Sequence, residues 1–340
     1  MKKKGLLTFG NWIVDYIKDI DSYPEKNLLT VITNQKMSIG GGPANISVDL
    51  SKMEVDFPIY AGGVIGDDTG GQYILETLAE NKIIPKYMRK SKNIATAYTD
   101  VMNGLKDSTR TFFHFLGSNS LLSYKDFEKI NCNAKICYIG YLLVLKGLEK
   151  YDEEYGSIAA KSLAFLQKKG LVTVVDLVSN KEADKNFIIG CLKYVDYLII
   201  NEIEAEIITG RQIRNNDDTV NCTNLELAVS QIMDFGINKQ VIVHFPEGAL
   251  AVGKNGNNVF EPSYYIDSKD IIGSVGAGDA FCAGVLYGIH ENLELNETLK
   301  IASANAWFNL HSQSATEGAV KISEVNKFIK TAVQNKNIFQ

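Results

Sequence analysis

Short apolar runs alternate with amphipathic stretches along most of this chain, and that alternation limits the folds it can adopt. In residues 159–175, apolar residues at helical spacing are followed by Gly170 and then by the apolar run 171–175. Such a run fits a strand buried on both faces of a parallel sheet. Further strands are predicted at 6–9, 57–60, 197–200 and 241–245, and further helices after Gly42, from a cap at Thr69, at 202–209, at 225–235 and from Ala280.

No repeat, linker or low-complexity tract divides the sequence. Strands that alternate with helices predict an α/β fold around a mostly parallel sheet. We therefore expect one domain across residues 1–340.

Two segments interrupt the alternation, residues 12–38 and 94–115. Both are rich in Thr, Tyr, Val, Ile and Phe with polar residues between them, which is the pattern of a hairpin without an intervening helix. Together they predict a small β-sheet outside the core, either a lid or an edge subdomain. The alternative is that both segments simply extend the core sheet.

Charge and composition exclude several classes of protein. A formal net charge of -5 argues against a dedicated nucleic-acid binder, which usually carries a basic stripe. Only four of the 35 basic residues are Arg, so few planar guanidinium groups are available for phosphate, and a phosphate site would depend on backbone amides.

No stretch approaches the roughly 20 apolar residues that span a bilayer, so no membrane partner is expected. The five cysteines include no Cys-x-x-Cys pair, which favours reduced thiols and a cytoplasmic location.

The sharpest local signal is Gly276-Ala277-Gly278-Asp279, directly before a strongly helical segment. Glycines let the backbone approach a ligand closely, and the N–H groups of a first helical turn point at an anion. This motif predicts a phosphate cradle made without arginine. Asp279 has two interpretations: it complements the helix dipole, or it takes a proton from a hydroxyl that attacks a phosphoryl group.

Two other motifs have a structural and a functional interpretation. Gly40-Gly41-Gly42-Pro43-Ala44-Asn45 could be a flexible turn into a helix, or a hinge whose Asn45 binds a polar substrate. Asn201-Glu202-Ile203-Glu204 follows a predicted strand, at the end of the sheet where ligands bind in open α/β folds. Its side chains could cap a helix or organise hydrated Mg²⁺ beside phosphates.

Together and in this order, these residues resemble the ribokinase-like (PfkB) carbohydrate kinase family over essentially the whole chain. Gly40-Gly41 with Asn45 is similar to the family's N-terminal signature, most closely in its fructokinase-type form. Gly63-Val64-Ile65-Gly66-Asp67-Asp68 with Gly70, Asn201-x-x-Glu204 and Gly276-Ala277-Gly278-Asp279 match three further family motifs. Four ordered matches are far more specific than one.

The resemblance implies a Rossmann-like three-layer α/β sandwich with a central mostly parallel sheet and a small β-sheet lid. It implies transfer of the γ-phosphoryl group of ATP to a hydroxyl of a sugar or nucleoside. Asp279 would be the general base, and the amides of Gly276, Ala277 and Gly278 would form the anion hole.

By the same resemblance, each partner of the reaction has its own residues. The substrate would be held by Asp15, Gly40, Gly41 and Asn45, with Arg110 either reaching it from the lid or remaining a solvated charge. The ATP site would include Asn201, Glu204, Gly248 and Asn305, and Asn201 and Glu204 would order Mg²⁺ through water.

The sequence departs from the family pattern at two places. Members usually carry Asp-Thr where this chain has Gly273-Ser274, and that Asp binds an activating monovalent cation in several members, so potassium dependence stays open. The loop before Gly248 lacks its usual glycine and contains His244, which we interpret as a wall or packing residue.

Two alternatives to a sugar kinase remain at this point. Trp12, Phe112 and Phe113 could contact a nucleobase and make the protein a nucleoside kinase, although aromatic residues in a hairpin usually pack. The altered positions at Gly273-Ser274 and before Gly248 could indicate a non-catalytic sensor of sugar or nucleotide, but a sensor does not need Asp279. Exposed strand edges also suggest a homodimer formed through the lid.

Overall fold

A computed structural model describes residues 4–106, 109–180 and 184–339 of the chain. Its strands are β1 (Leu6–Gly10), β2 (Ile13–Ile20), β3 (Ile32–Gly40), β4 (Ile59–Gly66), β5 (Ile84–Ser91), β6 (Tyr98–Gly104), β7 (Thr109–Phe115), β8 (Ile136–Gly140), β9 (Val172–Asp176), β10 (Tyr197–Asn201), β11 (Gln240–Phe245), β12 (Gly248–Gly253) and β13 (Asn258–Pro262). Its helices are α1 (Gly42–Lys52), α2 (Thr69–Glu80), α3 (Tyr124–Glu128), α4 (Ile158–Lys168), α5 (Lys185–Leu192), α6 (Glu202–Thr209), α7 (Cys222–Asp234), α8 (Ala277–Glu291), α9 (Leu295–Asn309) and α10 (Ile322–Ile329).

The large sheet has nine strands in the order β13-β12-β11-β10-β9-β8-β1-β4-β5. Strands from β11 to β5 in that order run parallel, and β12 and β13 add an antiparallel edge. The central strands β1 and β8 are buried along their whole length, as their apolar sequences predict.

Helices cover both faces of the large sheet and bury two separate apolar clusters. One cluster joins the sheet to α3, α4, α5, α6 and α7, and includes Phe127, Leu163 and Ile232. The other joins it to α1, α2, α8, α9 and α10, and includes Leu50, Ile74 and Phe281. The predicted three-layer α/β sandwich is confirmed.

The small sheet contains the four strands that lie outside this sandwich, in the order β3-β2-β6-β7. The pairs β2/β3 and β6/β7 are antiparallel hairpins, and β2 and β6 join them in parallel. The small separate sheet is therefore confirmed, and β3 extends to Gly40, two residues past the predicted segment. Residues 107–108 of the predicted 94–115 segment lie outside the described residues.

One predicted helix cap was wrong. Helix α2 is capped by Asp68, whose side chain accepts a hydrogen bond from the Gly71 amide, and Thr69 is the first helical residue. Asp68 also accepts from the Thr96 hydroxyl and amide, which ties the helix start to the segment entering the small sheet. No helix in the described ranges is long and apolar enough to cross a membrane.

Candidate active site

A cavity of about 880 Å³ lies between the large sheet and the small sheet. Four neighbouring strands of the large sheet end at this cavity: Asp176 and Asn201 are the last residues of β9 and β10, Tyr141 directly follows β8, and His244 is near the end of β11. Parallel strands bring their carboxyl ends to one edge, which explains why residues distant in sequence meet here. The start of α8 and one face of the small sheet complete the lining.

Asp279 lies in the first turn of α8, and its side chain is buried at the cavity wall, with the residue 5% exposed. Asn45 Nδ2 donates to Asp279 Oδ2 at 2.8 Å, and the Tyr141 hydroxyl donates to the same oxygen at 3.0 Å. Burial raises the pKa of Asp279, and these two hydrogen bonds partly oppose the increase because they favour the charged form. The result is a positioned carboxylate of increased basicity.

The predicted anion hole is the start of the same helix. Gly276 adopts φ +80°, and a Cβ there would overlap the backbone of Ala315, so the turn requires glycine. The amides of Gly276, Gly278 and Asp279 have no acceptor among the described residues, whereas the Ala277 amide donates to the Ser274 carbonyl at 3.3 Å. Three unpaired amides beside Asp279 form a site suited to an anion.

Two residues of this wall, Tyr141 and Asp176, belong to none of the sequence motifs. Asp176 accepts a hydrogen bond from the Tyr138 hydroxyl at 2.8 Å, and burial raises its pKa well above the usual range, with the charges of Asp279 and Glu204 acting in the same direction. Tyr141 has φ +59°, an uncommon conformation for a residue with a side chain. For Asp176 the available signal was its position directly after the predicted strand 171–175, since such ends carry ligands in α/β folds.

Asp15 lies on the opposite wall, in β2 of the small sheet. Burial raises its pKa to about 7, and the nearby Asp279 charge adds to the increase. Gly40 passes directly against this carboxylate, because a Cβ at Gly40 would overlap it. Gly41 adopts φ +90° and leaves no room for a Cβ beside the Asn11 carbonyl. The two glycines thus let the β3–α1 turn approach the predicted substrate site.

Asn201 and Glu204 form a reciprocal cap at the start of α6. Asn201 Oδ1 accepts from the Glu204 amide at 2.8 Å, and Glu204 Oε2 accepts from the Asn201 amide at 3.1 Å. The structural interpretation of this motif is thereby observed, and both residues also line the cavity. Burial raises the pKa of Glu204 to about 7.

A metal ion at Glu204 would need ligands from outside the protein. The described residues contain no group of three or more His, Cys, Asp or Glu side chains arranged to hold a metal. A single carboxylate that works with phosphate oxygens and water fits Mg²⁺, which usually keeps several waters. Gly273 offers no side-chain ligand where the family has Asp.

Gly40 and Ala277 adjoin lining residues without lining the cavity themselves, and three other predicted residues lie away from it. Gly248 begins β12 and does not line it, and Asn305 is buried in α9, where its Nδ2 donates to the Met53 sulfur at 3.3 Å. Arg110 lines a smaller adjoining cavity instead. Roles for Gly248 and Asn305 in nucleotide binding stay predictions.

The histidine and aromatic predictions have separate outcomes. His244 lines the cavity and packs against Gly278, and burial lowers its pKa to about 4, so it is a neutral wall residue. Trp12 is fully buried with its indole N–H bonded to the Gly62 carbonyl, and it does not line the cavity. Phe112 lines the cavity, whereas Phe113 is on the other face of β7.

Comparison with known sequences agrees with this geometry. The model of the family described as pfkB family carbohydrate kinase matches residues 3–322. The 5-dehydro-2-deoxygluconokinase of Clostridium perfringens is 23% identical over 305 residues, which cover 86% of this chain and 84% of the relative. The deoxyribokinase of Salmonella typhi is 22% identical over 329 residues, which cover 95% of this chain and 98% of the relative.

Solved structures share the fold. Ribokinase of Arabidopsis thaliana, complexed with ribose and ATP, superposes with a TM-score of 0.79 at 21% identity, over 96% of this chain and 99% of that one. A nucleoside kinase of Burkholderia thailandensis in complex with inosine gives a TM-score of 0.74 at 17% identity, over 96% and 98% of the two chains. The fold is therefore ribokinase-like.

Proposed function

The chain belongs to the pfkB family of carbohydrate kinases, and from that premise we propose that it transfers the γ-phosphoryl group of ATP to a sugar hydroxyl with Asp279 as the general base. One observation supports this role most strongly: the buried carboxylate of Asp279 lies in the same helical turn as three unpaired amides. A base and an anion site are thus adjacent, as an in-line phosphoryl transfer requires.

The proposed reaction uses the two walls of the cavity in different ways. Asp15, Gly41 and Asn45, which all line the cavity, would hold the acceptor so that one of its hydroxyls faces Asp279. Asp279 would accept the proton as that oxygen attacks the γ-phosphorus, and the bond to the β-phosphate oxygen would break. The amides of Gly276, Gly278 and Asp279 would stabilise the charge on the transferred group without reorganising.

ATP would approach from the side of the cavity formed by residues 178–180, Asn201 and His244. The charge of its phosphates would be met by Mg²⁺ and by the α8 amides, since no arginine is among the described residues that line the main cavity. Glu204 would hold the ion through water, and the bound ion would neutralise and orient the phosphates. We expect a cytoplasmic location, where ATP is available and the five unpaired cysteines stay reduced.

ADP formation measured against a panel of sugars, sugar acids and nucleosides tests this proposal. We expect acceptor-dependent ADP release by the wild-type protein with at least one carbohydrate, and a large loss of it in Asp279→Asn. A clear preference for nucleosides would replace the sugar kinase by a nucleoside kinase. Tight binding of a sugar or of ATP with no turnover across the panel would indicate a sensor and contradict catalysis.

We also propose a homodimer that forms through the small sheet. Its outer face exposes Met37, Phe113 and Phe115, each more than 40% accessible. Apolar residues of this size on a sheet with free edges are typical of an interface. Light scattering after size exclusion should give a dimer for the wild-type protein and a monomer for Phe113→Glu, whereas a monomeric wild-type protein at micromolar concentration would contradict the proposal.

A further inference from the structure

A second, smaller cavity of about 100 Å³ adjoins the main one and shares Asp15, Phe112 and Val275 with it. At about 30 Å³ per water molecule, its volume corresponds to about three waters, which is room for one carboxylate and the carbon that bears it. A group that enters this cavity would belong to a molecule already held at Asp15. The chemistry of its lining therefore bears on the identity of the acceptor.

The inner face of the small sheet forms most of this lining, and the strand register places its residues in three rows. Nearest the core, the row is Ser38, Asp15, Thr99 and His114. The middle row is Lys36, Ile17, Val101 and Phe112, and the outer row is Asn34, Asp19, Asn103 and Arg110. Ile17 and Val101 are thus an apolar floor, with Lys36 on one edge strand and Arg110 on the other.

Both cations line this part of the cavity together with Asp19. Within the described residues, neither Lys36 nor Arg110 makes an ion pair, whereas Arg89 pairs with Asp126, and Arg214 pairs with Glu202 and Glu247. Three strand spacings of about 14 Å in total and a two-residue step of about 7 Å along the strands separate Lys36 from Arg110 by about 16 Å. Side chains that extend roughly 6 Å each leave a gap that one small group above the floor can bridge.

A hydrogen-bonded chain holds the guanidinium of Arg110 in place. Asn103 Oδ1 accepts from Arg110 Nε at 2.8 Å, and Asn103 Nδ2 donates to Asp19 Oδ1 at 3.0 Å. Asn34 Nδ2 occupies the other Asp19 oxygen at 3.0 Å. This arrangement uses Nε and leaves both terminal nitrogens of Arg110 without an acceptor in the described chain, in the form suited to binding a planar anion.

The charge balance favours a monoanion. Asp15, Asp19, Lys36 and Arg110 are the charged residues of the lining. The pKa of Asp19 is lowered, first by its two asparagine hydrogen bonds and further by Lys36 and Arg110, so it is ionised and cancels one of the two positive charges. The outer end of the cavity, beyond Asp15, therefore keeps one net positive charge, whereas the lining as a whole becomes neutral once Asp15 ionises near pH 7.

We propose that the acceptor of this kinase is a sugar acid, whose carboxylate lies between Lys36 and Arg110 while its hydroxyls contact Asp15. This proposal rests on the phosphotransfer function proposed above. Lys36 and Arg110 would select the substrate and would have no part in the transfer itself, because neither lines the cavity that contains Asp279.

The test compares kcat/KM for five- and six-carbon aldonates and keto-aldonates with the value for the neutral sugar of equal chain length. The variants are Lys36→Met and Arg110→Gln, with Lys18→Met as the matched control, because Lys18 is on the other face of β2 and pairs with Asp100. We expect the wild-type protein to prefer a sugar acid, and each cavity variant to lose about tenfold or more on that acid with little change on neutral sugars or in the KM for ATP. The control should change neither.

The possible results distinguish a wrong sugar-acid assignment from a wrong phosphotransfer function. Turnover of neutral sugars without any preference for acids, or equal losses on both classes in the two variants, would overturn the sugar-acid assignment and leave the kinase intact. A preference for phosphorylated sugars would replace the carboxylate by a phosphate. Absence of turnover with every acceptor would contradict the phosphotransfer function itself. If Arg110→Gln folds poorly, calorimetric binding of the preferred acid to Lys36→Met gives the decisive comparison, and unchanged affinity would count against the proposal.

Discussion

The large-sheet wall of the main cavity and the small-sheet lining of the adjoining cavity are built in opposite ways. On the large-sheet side, Asp176 and Asp279 are buried, hydrogen-bonded to tyrosine or asparagine, and have raised pKa values. On the small-sheet side, Lys36 and Arg110 are half-exposed. Burial raises the basicity of a carboxylate and fixes its position, so the first wall is suited to proton and phosphoryl transfer.

Half-exposed charges suit a different task. They attract and orient a substrate that arrives from water, and they cost less to desolvate than buried ions. This contrast predicts that substitutions on the large-sheet wall reduce kcat, whereas substitutions on the small-sheet wall change KM and selectivity. Single substitutions on each side test that division.

The largest effect is expected for Asp279→Asn. The amide keeps the shape of the side chain but cannot accept the proton of the acceptor hydroxyl, so kcat should fall by about 10²–10⁴-fold with only a small change in acceptor KM. Steady-state rates with a saturating acceptor measure the change in kcat. The control is Asp267→Asn, because Asp267 caps a short 3-10 turn and pairs with Lys269 away from the cavity. Near wild-type turnover would show that Asp279 is not the base.

Asp15→Asn should change the acceptor KM rather than kcat. Asp15, with its pKa of about 7, is protonated below neutral pH and ionised above it, and only the ionised form accepts hydrogen bonds through both oxygens. In the wild-type protein the acceptor KM should therefore fall as the pH rises from 6 to 8. Asp15→Asn should raise KM by roughly tenfold or more at pH 8 and lose this pH dependence.

The KM for ATP, measured over the same pH range, is the control for that pH profile. The pKa of Glu204 is also raised to about 7, so the KM for ATP can titrate over the same range. That titration should persist in Asp15→Asn. If the substitution lowered kcat while leaving KM unchanged, Asp15 would act in the transfer step like the residues of the large-sheet wall, which we call the reacting wall. The division between the two sides would then be wrong.

Tyr141→Phe tests a finer feature of the buried wall. It removes one of the two hydrogen bonds that stabilise ionised Asp279, and this change should raise the pKa of that carboxyl further. The acidic limb of the kcat profile should then move to higher pH, with a loss of roughly tenfold or less at neutral pH. A profile of unchanged shape would mean that Tyr141 does not tune the base.

The same contrast explains what the sequence could predict. The α8 turn, the Gly40–Asn45 turn and the Asn201–Glu204 cap are contiguous motifs whose local geometry follows from their residue types, so the reacting wall was largely predictable. Asp176 directly follows the predicted strand 171–175 and could have been found by position. Tyr141 follows a strand that was not predicted.

The small-sheet side, which we expect to select the substrate, depends on a strand pairing and register that one sequence does not reveal. Lys36 and Arg110 line one cavity because β2 pairs in parallel with β6, more than 80 residues later in the chain, with one particular register. A shift of one residue would move every side chain of a strand to the opposite face. Alternating Lys, Asn and Arg residues in separate hairpins therefore give no local signal of a shared cavity.

Asp49→Asn is expected to have the smallest effect on turnover. Asp49 lies one helical turn after Asn45, is 1% exposed, and neither carboxylate oxygen has a hydrogen-bond partner in the described structure. Burial raises its pKa well above the usual range, with the Asp279 charge adding to the increase, and this shift favours the protonated form in the folded protein. The side chain should therefore contribute no charge to the reacting wall, and an uncharged amide of the same shape should leave kcat within about twofold.

The free energy of unfolding of the same variant, measured against pH, tests whether folding raises the pKa of Asp49. The pKa of Asp49 is raised on folding, so its contribution to stability is full below the unfolded-state value near 3.8 and is lost as the pH rises toward the folded-state value. Across that interval the wild-type free energy of unfolding should fall relative to Asp49→Asn by about 1.4 kcal/mol per pH unit. Urea unfolding of both proteins from pH 4 to pH 8 measures the difference. Parallel curves would show that Asp49 ionises freely, and the buried wall would then hold a second negative charge beside Asp279.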